Sequence, residues 1–324
     1  MRRHVAALVV LAACVAAACG AGHESRPRTG PEPHADDGAA VVAQTQVARR
    51  IVDLVIRSPA LGERARVRLL TPEGWSGRRA GRTWPVLYLL HGCCDTYDSW
   101  TRETDLARIA ALREVLVVMP TAGEVGFYSN WLDHGRRGPP AWETFHLVEL
   151  RQILERGYGA GRRRAIAGLS MGGLGAMVYA ARDRGMFRAA AAYSGLLHPL
   201  GDTRWMLGLF AAEAPDPLAI WGDPVEDRAQ WAAHDPTELA GRLRGVRLFV
   251  ASGNGEAGPY EAPGARRDPI EATTYRESRA FAACLRRLHI PLRTDFYGPG
   301  VHDWPYWQRE LHRSLPLLLR AIHA

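Results

Sequence analysis

The chain contains no lysine, and all 41 of its basic side chains belong to arginine. Its formal net charge is +7 at pH 7, yet no basic run is interleaved with aromatic residues as in a nucleic-acid-binding surface. Arg162–Arg164 form one basic run, which we interpret as an exposed turn before a buried strand. The sequence therefore predicts no nucleic-acid partner.

Cysteine is scarce. Of five cysteines, only Cys93, Cys94 and Cys284 lie beyond residue 19. Three thiols can form at most one disulfide, and the adjacent Cys93 and Cys94 are expected to be poorly placed to bridge each other without strain. No Cys/His cluster has the spacing of metal ligands. The sequence predicts no metal site and leaves the redox state of these cysteines open.

The N-terminus has the pattern of an export signal. Two arginines precede the apolar stretch Val5–Ala18, whose fourteen residues are too few to span a bilayer comfortably. Residues 1–19 are predicted to be a signal peptide of lipoprotein type, because Leu11–Cys14 and Ala16–Cys19 both resemble a lipoprotein box. Cys19 leaves the more usual signal length, and a plain secretory signal is the alternative. We expect an exported protein, either a cell-surface lipoprotein or secreted, that contacts a membrane only through this lipid anchor.

One folded domain is expected after a tether. Residues 20–48 are rich in Gly, Pro, Ala, His and acidic residues without periodicity, which predicts a disordered tether. Residues 49–324 suit one α/β domain. Strand patterns are predicted at 51–57, 65–71, 86–90, 115–119, 165–167, 189–193, 246–251 and 292–297, and the clearest helices at 142–156, 172–182, 270–288 and 304–322.

Strands and helices in alternation predict a mostly parallel central sheet with helices on both faces. Functional side chains are then expected beyond the carboxyl ends of the strands. Residues 196–235 lie between two strands and are too long for a simple crossover. They are interpreted either as a lid that walls an acyl pocket or as a helical excursion whose aromatic residues serve its own packing.

The motif Gly168-Leu169-Ser170-Met171-Gly172 lies between a predicted strand and a predicted helix. A sharp strand-to-helix turn lifts a serine above the sheet, and glycines let the backbone pass without a clash. Ser170 is therefore the predicted nucleophile. An ordinary glycine-rich turn of a βαβ unit is the alternative.

Two further strand ends carry complementary groups. The turn at Gly92 can aim the backbone N–H of Cys93 at an oxyanion, with the N–H of Met171 as the second donor. His302 follows the last predicted strand and is the predicted general base. His91 precedes Ser170, whereas this fold requires the order serine, acid, histidine.

The acid that orients His302 should lie between Ser170 and His302, near the end of the strand at 246–251. Chain order alone does not choose among the candidates, which are Glu256, Glu261, Asp268, Glu271 and Glu277.

Several stretches resemble the esterase D and mycolyltransferase family, which includes the secreted antigen 85 enzymes. They are residues 88–100, 119–120 with 127–131, 142–145, 168–172, 194–196, 221–224, 254–255 and 302–307. The resemblance implies an α/β-hydrolase fold without a cofactor, with Ser170 and His302 as nucleophile and base. It also implies Cys93 and Met171 as the oxyanion donors. In the mycolyltransferases the acid is a glutamate in a Glu-x-x-x-Arg-Ser stretch, whose nearest counterpart here begins at Glu271, with Glu277 in reserve.

Two departures favour the simple serine esterase branch. Where the mycolyltransferases read Asp-Gly-Leu-Arg, this chain reads His91-Gly92-Cys93-Cys94, so polar groups linked to sugar binding are missing. Gly172-Gly173 also follows the esterase pattern. The leading hypothesis is an exported serine esterase that hydrolyses small-molecule or lipid acyl esters through an acyl-enzyme on Ser170. The alternatives are an acyltransferase that uses a cell-envelope sugar as acceptor, and a binding protein on an inactive hydrolase scaffold.

Overall fold

A computed structural model describes residues 33–77 and 82–324 of the chain, so the predicted signal and the first part of the tether lie outside it. Within these ranges the strands form one nine-stranded sheet in the order β1-β2-β3-β5-β4-β6-β7-β8-β9. Their bounds are Ala40–Ala48 (β1), Ile51–Ser58 (β2), Glu63–Leu70 (β3), Trp84–Leu90 (β4), Leu116–Pro120 (β5), Ala160–Leu169 (β6), Ala189–Tyr193 (β7), Arg247–Ser252 (β8) and Leu292–Phe296 (β9). The first three pairings are antiparallel and those from β5 to β9 are parallel. The predicted mostly parallel sheet is confirmed.

The helices lie between these strands, except for the last one, which follows β9. Those used below are Ser99–Glu103 (α1), Trp142–Thr144 (α2), Arg151–Gly157 (α3), Met171–Arg182 (α4), Thr203–Glu213 (α5), Leu218–Trp221 (α6), Arg228–Ala232 (α7), Pro269–Arg287 (α8) and Trp304–Ile322 (α9). A π-helical segment, Phe145–Leu150, joins α2 to α3 and completes the helix predicted at 142–156. No helix within the described ranges has the length and apolar character needed to cross a bilayer.

The central strands are buried on both faces, since alternate side chains of a strand point to opposite sides and each side packs against helices. On β4, Val86 and Leu90 join a cluster that contains Leu174 of α4. Leu87 of the same strand joins the opposite cluster, which contains Leu315 of α9. Helices therefore cover both faces, and the carboxyl ends of the parallel strands form one edge on which polar side chains can gather.

The folded part begins earlier than predicted. β1 (Ala40–Ala48) lies inside the segment predicted as a disordered tether and pairs antiparallel with β2. Only Val41 of this strand is buried. An edge strand exposed on both faces carries no alternation of apolar and polar residues, so the pattern that reveals other strands is missing here.

The interpretation of Arg162–Arg164 as an exposed turn is wrong. These arginines belong to β6, which is longer than predicted. Arg164 is buried and forms an ion pair with Glu155 of α3. A buried charge is tolerated when it is paired, so this pair explains how an arginine run can continue a strand.

The segment between β7 and β8 contains α5, α6 and α7. Phe210 and Trp221 are fully buried, with ring centroids 5.1 Å apart. Phe210 also packs on Phe127, which lies after β5, at a centroid distance of 4.5 Å. Trp231 completes this aromatic group at 5.3 Å from Trp221. These contacts hold the segment against the body of the domain.

Candidate active site

Ser170 lies between β6 and α4 with φ 51° and ψ −122°, a strained conformation for a residue other than glycine. The two glycines of the motif are required by close packing. A Cβ on Gly168 would overlap the carbonyl oxygen of Gly172, and a Cβ on Gly172 would lie 2.5 Å from the carbonyl oxygen of Leu90. This is the strained strand-to-helix turn that exposes a serine hydroxyl at the edge of a sheet.

The predicted base and the favoured acid are in contact. Nδ1 of His302, in the loop after β9, lies 2.8 Å from Oε2 of Glu271. Glu271 is in the first turn of α8 and is fully buried. A carboxylate at Nδ1 holds the imidazole in the tautomer whose Nε2 can accept a proton. Among the hydrogen bonds of residues 33–77 and 82–324, none joins the Ser170 hydroxyl to His302. Such bonds often form only once substrate is bound.

The Glu271 carboxylate is surrounded by donors that replace the water it loses on burial. Oε2 also accepts a bond of 3.2 Å from the Thr274 hydroxyl. Oε1 accepts from three groups at the carboxyl ends of β7 and β8: Ser194 Oγ at 2.9 Å, Ser252 Oγ at 3.0 Å and Gly253 N at 2.6 Å. The Glu271 carboxylate is thus fixed by the same sheet edge that carries Ser170.

Asp268, one of the candidate acids, contacts the backbone of His302 and not its ring, and Trp307, to which the sequence assigned no role, packs against that ring. The side chain of Asp268 caps α8 by accepting from the backbone N–H of Glu271 at 3.2 Å, and its other oxygen accepts from the N–H of His302 at 2.8 Å. The indole of Trp307 packs edge-on against the His302 ring at 4.9 Å and donates to Ser194 Oγ at 3.0 Å. Polar residues directly after buried strands were the available signal for Ser194 and Ser252.

The other acidic candidates do not contact His302. Glu256 is exposed and accepts from the Asn254 side chain. Glu261 accepts from the Tyr306 hydroxyl at 2.7 Å. Glu277, the reserve, is buried on α8, where its carboxylate accepts from the backbone N–H of His198 at 3.1 Å. Burial raises the pKa of Glu277 to about 7.

The predicted oxyanion donors, Cys93 and Met171, lie on the two turns that meet at Ser170. A Cβ placed on Gly92 would be 3.3 Å from the Cβ of Ser170, so the turn after β4 runs beside the nucleophile. Met171 is the first residue of α4, where backbone N–H groups have no partner inside the helix. In the described part of the chain, neither the Cys93 nor the Met171 N–H donates a backbone hydrogen bond.

A disulfide joins the adjacent Cys93 and Cys94, whose redox state the sequence left open. The backbone at Cys94 has φ 63°, so the turn is bent at this position. Cys284 is a free cysteine on α8. Within the described ranges, no group of three or more His, Cys, Asp or Glu side chains could hold a metal ion.

Known proteins of two kinds are similar to this chain. A model of the family described as "Putative esterase" matches residues 58–318. The chain is 33% identical over 224 residues to Esterase Rv1288 of Mycobacterium tuberculosis, an alignment that covers 67% of this chain and 48% of that protein. It therefore spans about half the length of that relative. It is 29% identical over 286 residues to the diacylglycerol acyltransferase/mycolyltransferase Ag85B of Mycolicibacterium smegmatis, which covers 83% of this chain and 84% of that one.

Among solved structures, the fold is similar to that of MPT51 (FbpC1) of Mycobacterium tuberculosis, with a TM-score of 0.67 and 26% identity. The similarity covers 83% of this chain and 97% of that one. Together with the sheet order and the strained serine turn, it confirms the expected α/β-hydrolase fold.

Proposed function

Because the chain belongs to the esterase family whose model matches residues 58–318, we propose that it hydrolyses acyl esters through an acyl-enzyme on Ser170. The observation that carries this proposal is the 2.8 Å contact between His302 and the fully buried Glu271, on the sheet edge that also carries the strained Ser170.

In the proposed reaction the Ser170 hydroxyl attacks the ester carbonyl while His302 Nε2 takes its proton. The carbonyl oxygen becomes an oxyanion, which accepts from the N–H groups of Cys93 and Met171. His302 then gives the proton to the leaving alcohol. Water, activated by His302, releases the acid and restores Ser170. Glu271 orients the imidazole and stabilises its charged form in both halves of the reaction.

The test is hydrolysis of short p-nitrophenyl esters by the wild type and by Ser170→Ala. The wild type is expected to turn these esters over, and Ser170→Ala is expected to lose about 10⁶-fold in kcat, because a triad without its nucleophile retains only binding and oxyanion stabilisation. Full hydrolysis by Ser170→Ala would refute the mechanism. If the wild type neither hydrolysed these esters nor was labelled by a fluorophosphonate probe, the binding-protein alternative would be favoured.

A second candidate function is transfer of the acyl group to a sugar hydroxyl of the cell envelope. It is favoured by the similarity to proteins named acyltransferases and by a cavity of about 700 Å³ against the first turns of α8, the helix that carries Glu271. Trp205 and Tyr275 offer aromatic faces there, and Asp202 and Asn254 offer polar groups. Aromatic faces beside polar groups suit a sugar better than an acyl chain.

Hydrolysis and transfer are separated by following a labelled acyl group. The leading proposal predicts free acid as the main product even with sugars present, whereas transfer predicts an acylated sugar that increases with sugar concentration. Trp205→Ala is expected to reduce only the transfer product. If Trp205→Ala reduced both products equally, the cavity would not be the binding site of the sugar acceptor.

We also propose that the protein is exported and anchored by a lipid on Cys19, since residues 1–19 have the lipoprotein pattern. Metabolic labelling with a fatty acid should mark the wild type and leave Cys19→Ala unmarked. Labelling that is lost in Cys14→Ala instead would move the anchor to that cysteine, and a cleaved, unlabelled protein would indicate a plain secretory signal.

A further inference from the structure

His91 lies directly after β4, at the start of the turn that runs beside Ser170. It is 1% exposed, and burial lowers its pKa. Both ring nitrogens are engaged within the protein. Nδ1 lies 2.7 Å from the carbonyl oxygen of Gly92, and Nε2 lies 3.0 Å from the backbone N of Ala122, in the loop after β5. His91 is therefore enclosed and does not face a substrate.

The two contacts fix which ring nitrogen of His91 carries the proton. The backbone N–H of Ala122 can only donate, so Nε2 must be the acceptor. The carbonyl oxygen of Gly92 can only accept, so Nδ1 must carry the hydrogen and donate. A neutral imidazole with its hydrogen on Nδ1 satisfies both contacts. A second proton, on Nε2, would face the Ala122 N–H and break that contact.

The Gly92 carbonyl that His91 holds belongs to the same peptide unit as the Cys93 N–H. A peptide unit is planar, and in the trans form its C=O and N–H point in opposite directions. Among the described residues the cis bond is at Pro139-Pro140, so the peptide between Gly92 and Cys93 is trans. Holding the carbonyl oxygen therefore sets the direction of the N–H on the other side of the plane.

The neighbouring peptide groups of this turn are also held. The carbonyl oxygen of His91 accepts from the Tyr128 hydroxyl at 2.9 Å. The N–H of Cys94 donates to the carbonyl oxygen of Glu124 at 3.0 Å. Between these anchored groups the Cys93 N–H has no backbone partner in the described part of the chain. An N–H that is fixed in direction and left without a partner is what an oxyanion donor requires.

We propose that His91 is a positioning residue that aims the Cys93 N–H at the oxyanion by holding the Gly92 carbonyl. It acts through the peptide and takes no proton from substrate or serine. This inference rests on the proposed esterase function, because it assigns His91 a part in stabilising the oxyanion of that reaction.

A matched pair of variants separates the two contacts of His91. In His91→Asn the amide nitrogen takes about the place of Nδ1 and keeps a donor to Gly92. In His91→Gln the longer amide reaches the place of Nε2 and keeps an acceptor for Ala122, but loses the donor to Gly92. Both replacement side chains are neutral amides. Thermal unfolding measures the stability of each variant.

His91→Gln is expected to lower kcat by about 10 to 100-fold, because a misdirected oxyanion donor weakens transition-state stabilisation. Its KM should stay within about threefold, since the donor acts on the transition state more than on the bound ester. His91→Asn should keep kcat within about threefold of the wild type. Equal kcat values for the two variants, or wild-type kcat in His91→Gln, would overturn the proposal.

Two further readouts test the oxyanion and the position of the His91 hydrogen separately. A trifluoromethyl ketone forms an oxyanion on the serine, so its inhibition constant should rise in His91→Gln by the same factor as kcat/KM falls. An unchanged inhibition constant would contradict a role at the oxyanion. In the wild type, ¹⁵N-edited NMR should find the His91 hydrogen on Nδ1, and a hydrogen on Nε2 would overturn the proposal even if neither variant folds.

Failure of this inference is distinguishable from failure of the proposed function. A wild type without ester hydrolysis and without fluorophosphonate labelling of Ser170 refutes the function itself. An active, labelled wild type whose two His91 variants behave alike refutes only the role of His91.

Discussion

Replacing Glu271 by glutamine exchanges one oxygen of a fully buried carboxylate for an NH₂ group. Oε1 accepts from the Gly253 N–H at 2.6 Å, and a backbone N–H cannot turn away or become an acceptor. The amide oxygen of the variant must therefore take the Oε1 side. Its NH₂ group then faces Nδ1 of His302, which is 2.8 Å from Oε2 in the wild type.

An NH₂ donor beside Nδ1 forces His302 into the tautomer with hydrogen on Nε2, which cannot take the proton of Ser170. We expect Glu271→Gln to lower kcat by about 10⁴-fold, as for a triad in which the acid becomes an amide. This corresponds to about 5 kcal/mol of transition-state stabilisation. The assay is the steady-state hydrolysis of p-nitrophenyl butyrate, with thermal unfolding as a check of the fold.

Glu256→Gln is the matched control. Glu256 is exposed and its carboxylate accepts from Asn254 without contacting His302. Its replacement should leave kcat unchanged and alter the free energy of unfolding by less than about 0.5 kcal/mol. If Glu271→Gln keeps more than about a tenth of the wild-type kcat, the tautomer argument is refuted and Glu271 has no orienting role.

The packing around the serine turn predicts that Gly172→Ala lowers the free energy of unfolding by about 1–3 kcal/mol, because its Cβ would lie 2.5 Å from a carbonyl oxygen of β4. Gly208→Ala in α5 is the control and should stabilise by about 0.5–1 kcal/mol, since no atom lies within 4 Å of its added Cβ; urea unfolding that gives equal values would contradict the packing. Glu277 has a pKa of about 7 in the folded chain against an ordinary 4.5, so the unfolded chain loses the proton first and stability falls as pH rises between these values. Glu277→Gln should remove up to about 3 kcal/mol of that fall between about pH 5 and pH 8, and an identical pH dependence in both proteins would show that Glu277 does not titrate there. Finally, alkylation of unfolded, unreduced protein followed by mass spectrometry should modify Cys284 and leave the peptide with Cys93 and Cys94 unmodified; modification of Cys93 and Cys94 would contradict the disulfide.

The strands β4, β5, β7 and β8 could be predicted because each contains an apolar run of the length that a strand buried on both faces requires. β7 was predicted with its observed bounds, Ala189–Tyr193. β1 could not be found in this way, since its order comes from backbone pairing with β2 and its side chains are mostly exposed. The arginines of β6 were assigned wrongly for a related reason. Arg164 is buried because it pairs with Glu155, and Glu155 lies on α3, which no local pattern connects to β6.

Ser170 and His302 could be selected from the sequence because chain order and strand ends restrict a nucleophile and a base to few positions. The acid could not be chosen by order, since six carboxylates follow β8 before His302, and five of them were candidates. The contact that distinguishes Glu271 depends on the start of α8, which Asp268 fixes while also holding the His302 loop. The spacing of these residues along the chain does not reveal that they are in contact.

The turn at Gly92, which carries the proposed oxyanion donor Cys93, could also be predicted only in part. Its glycine could be assigned from the sequence, but the partner of His91 across the turn, Ala122, lies in a different loop. Hydrogen bonds between loops depend on how strands are ordered in the sheet, and here β4 lies between β5 and β6. The role of His91 becomes visible only when those loops are placed side by side.

Whether Ser170 carries the acyl group is measured by the intact mass of the enzyme, quenched in acid during turnover of a slow acyl ester. We expect one added acyl group, located on the peptide that contains Ser170, and none in Ser170→Ala. If Ser170→Ala still hydrolysed the ester without an adduct, or if the acyl group were found on any other residue, Ser170 would not be the nucleophile.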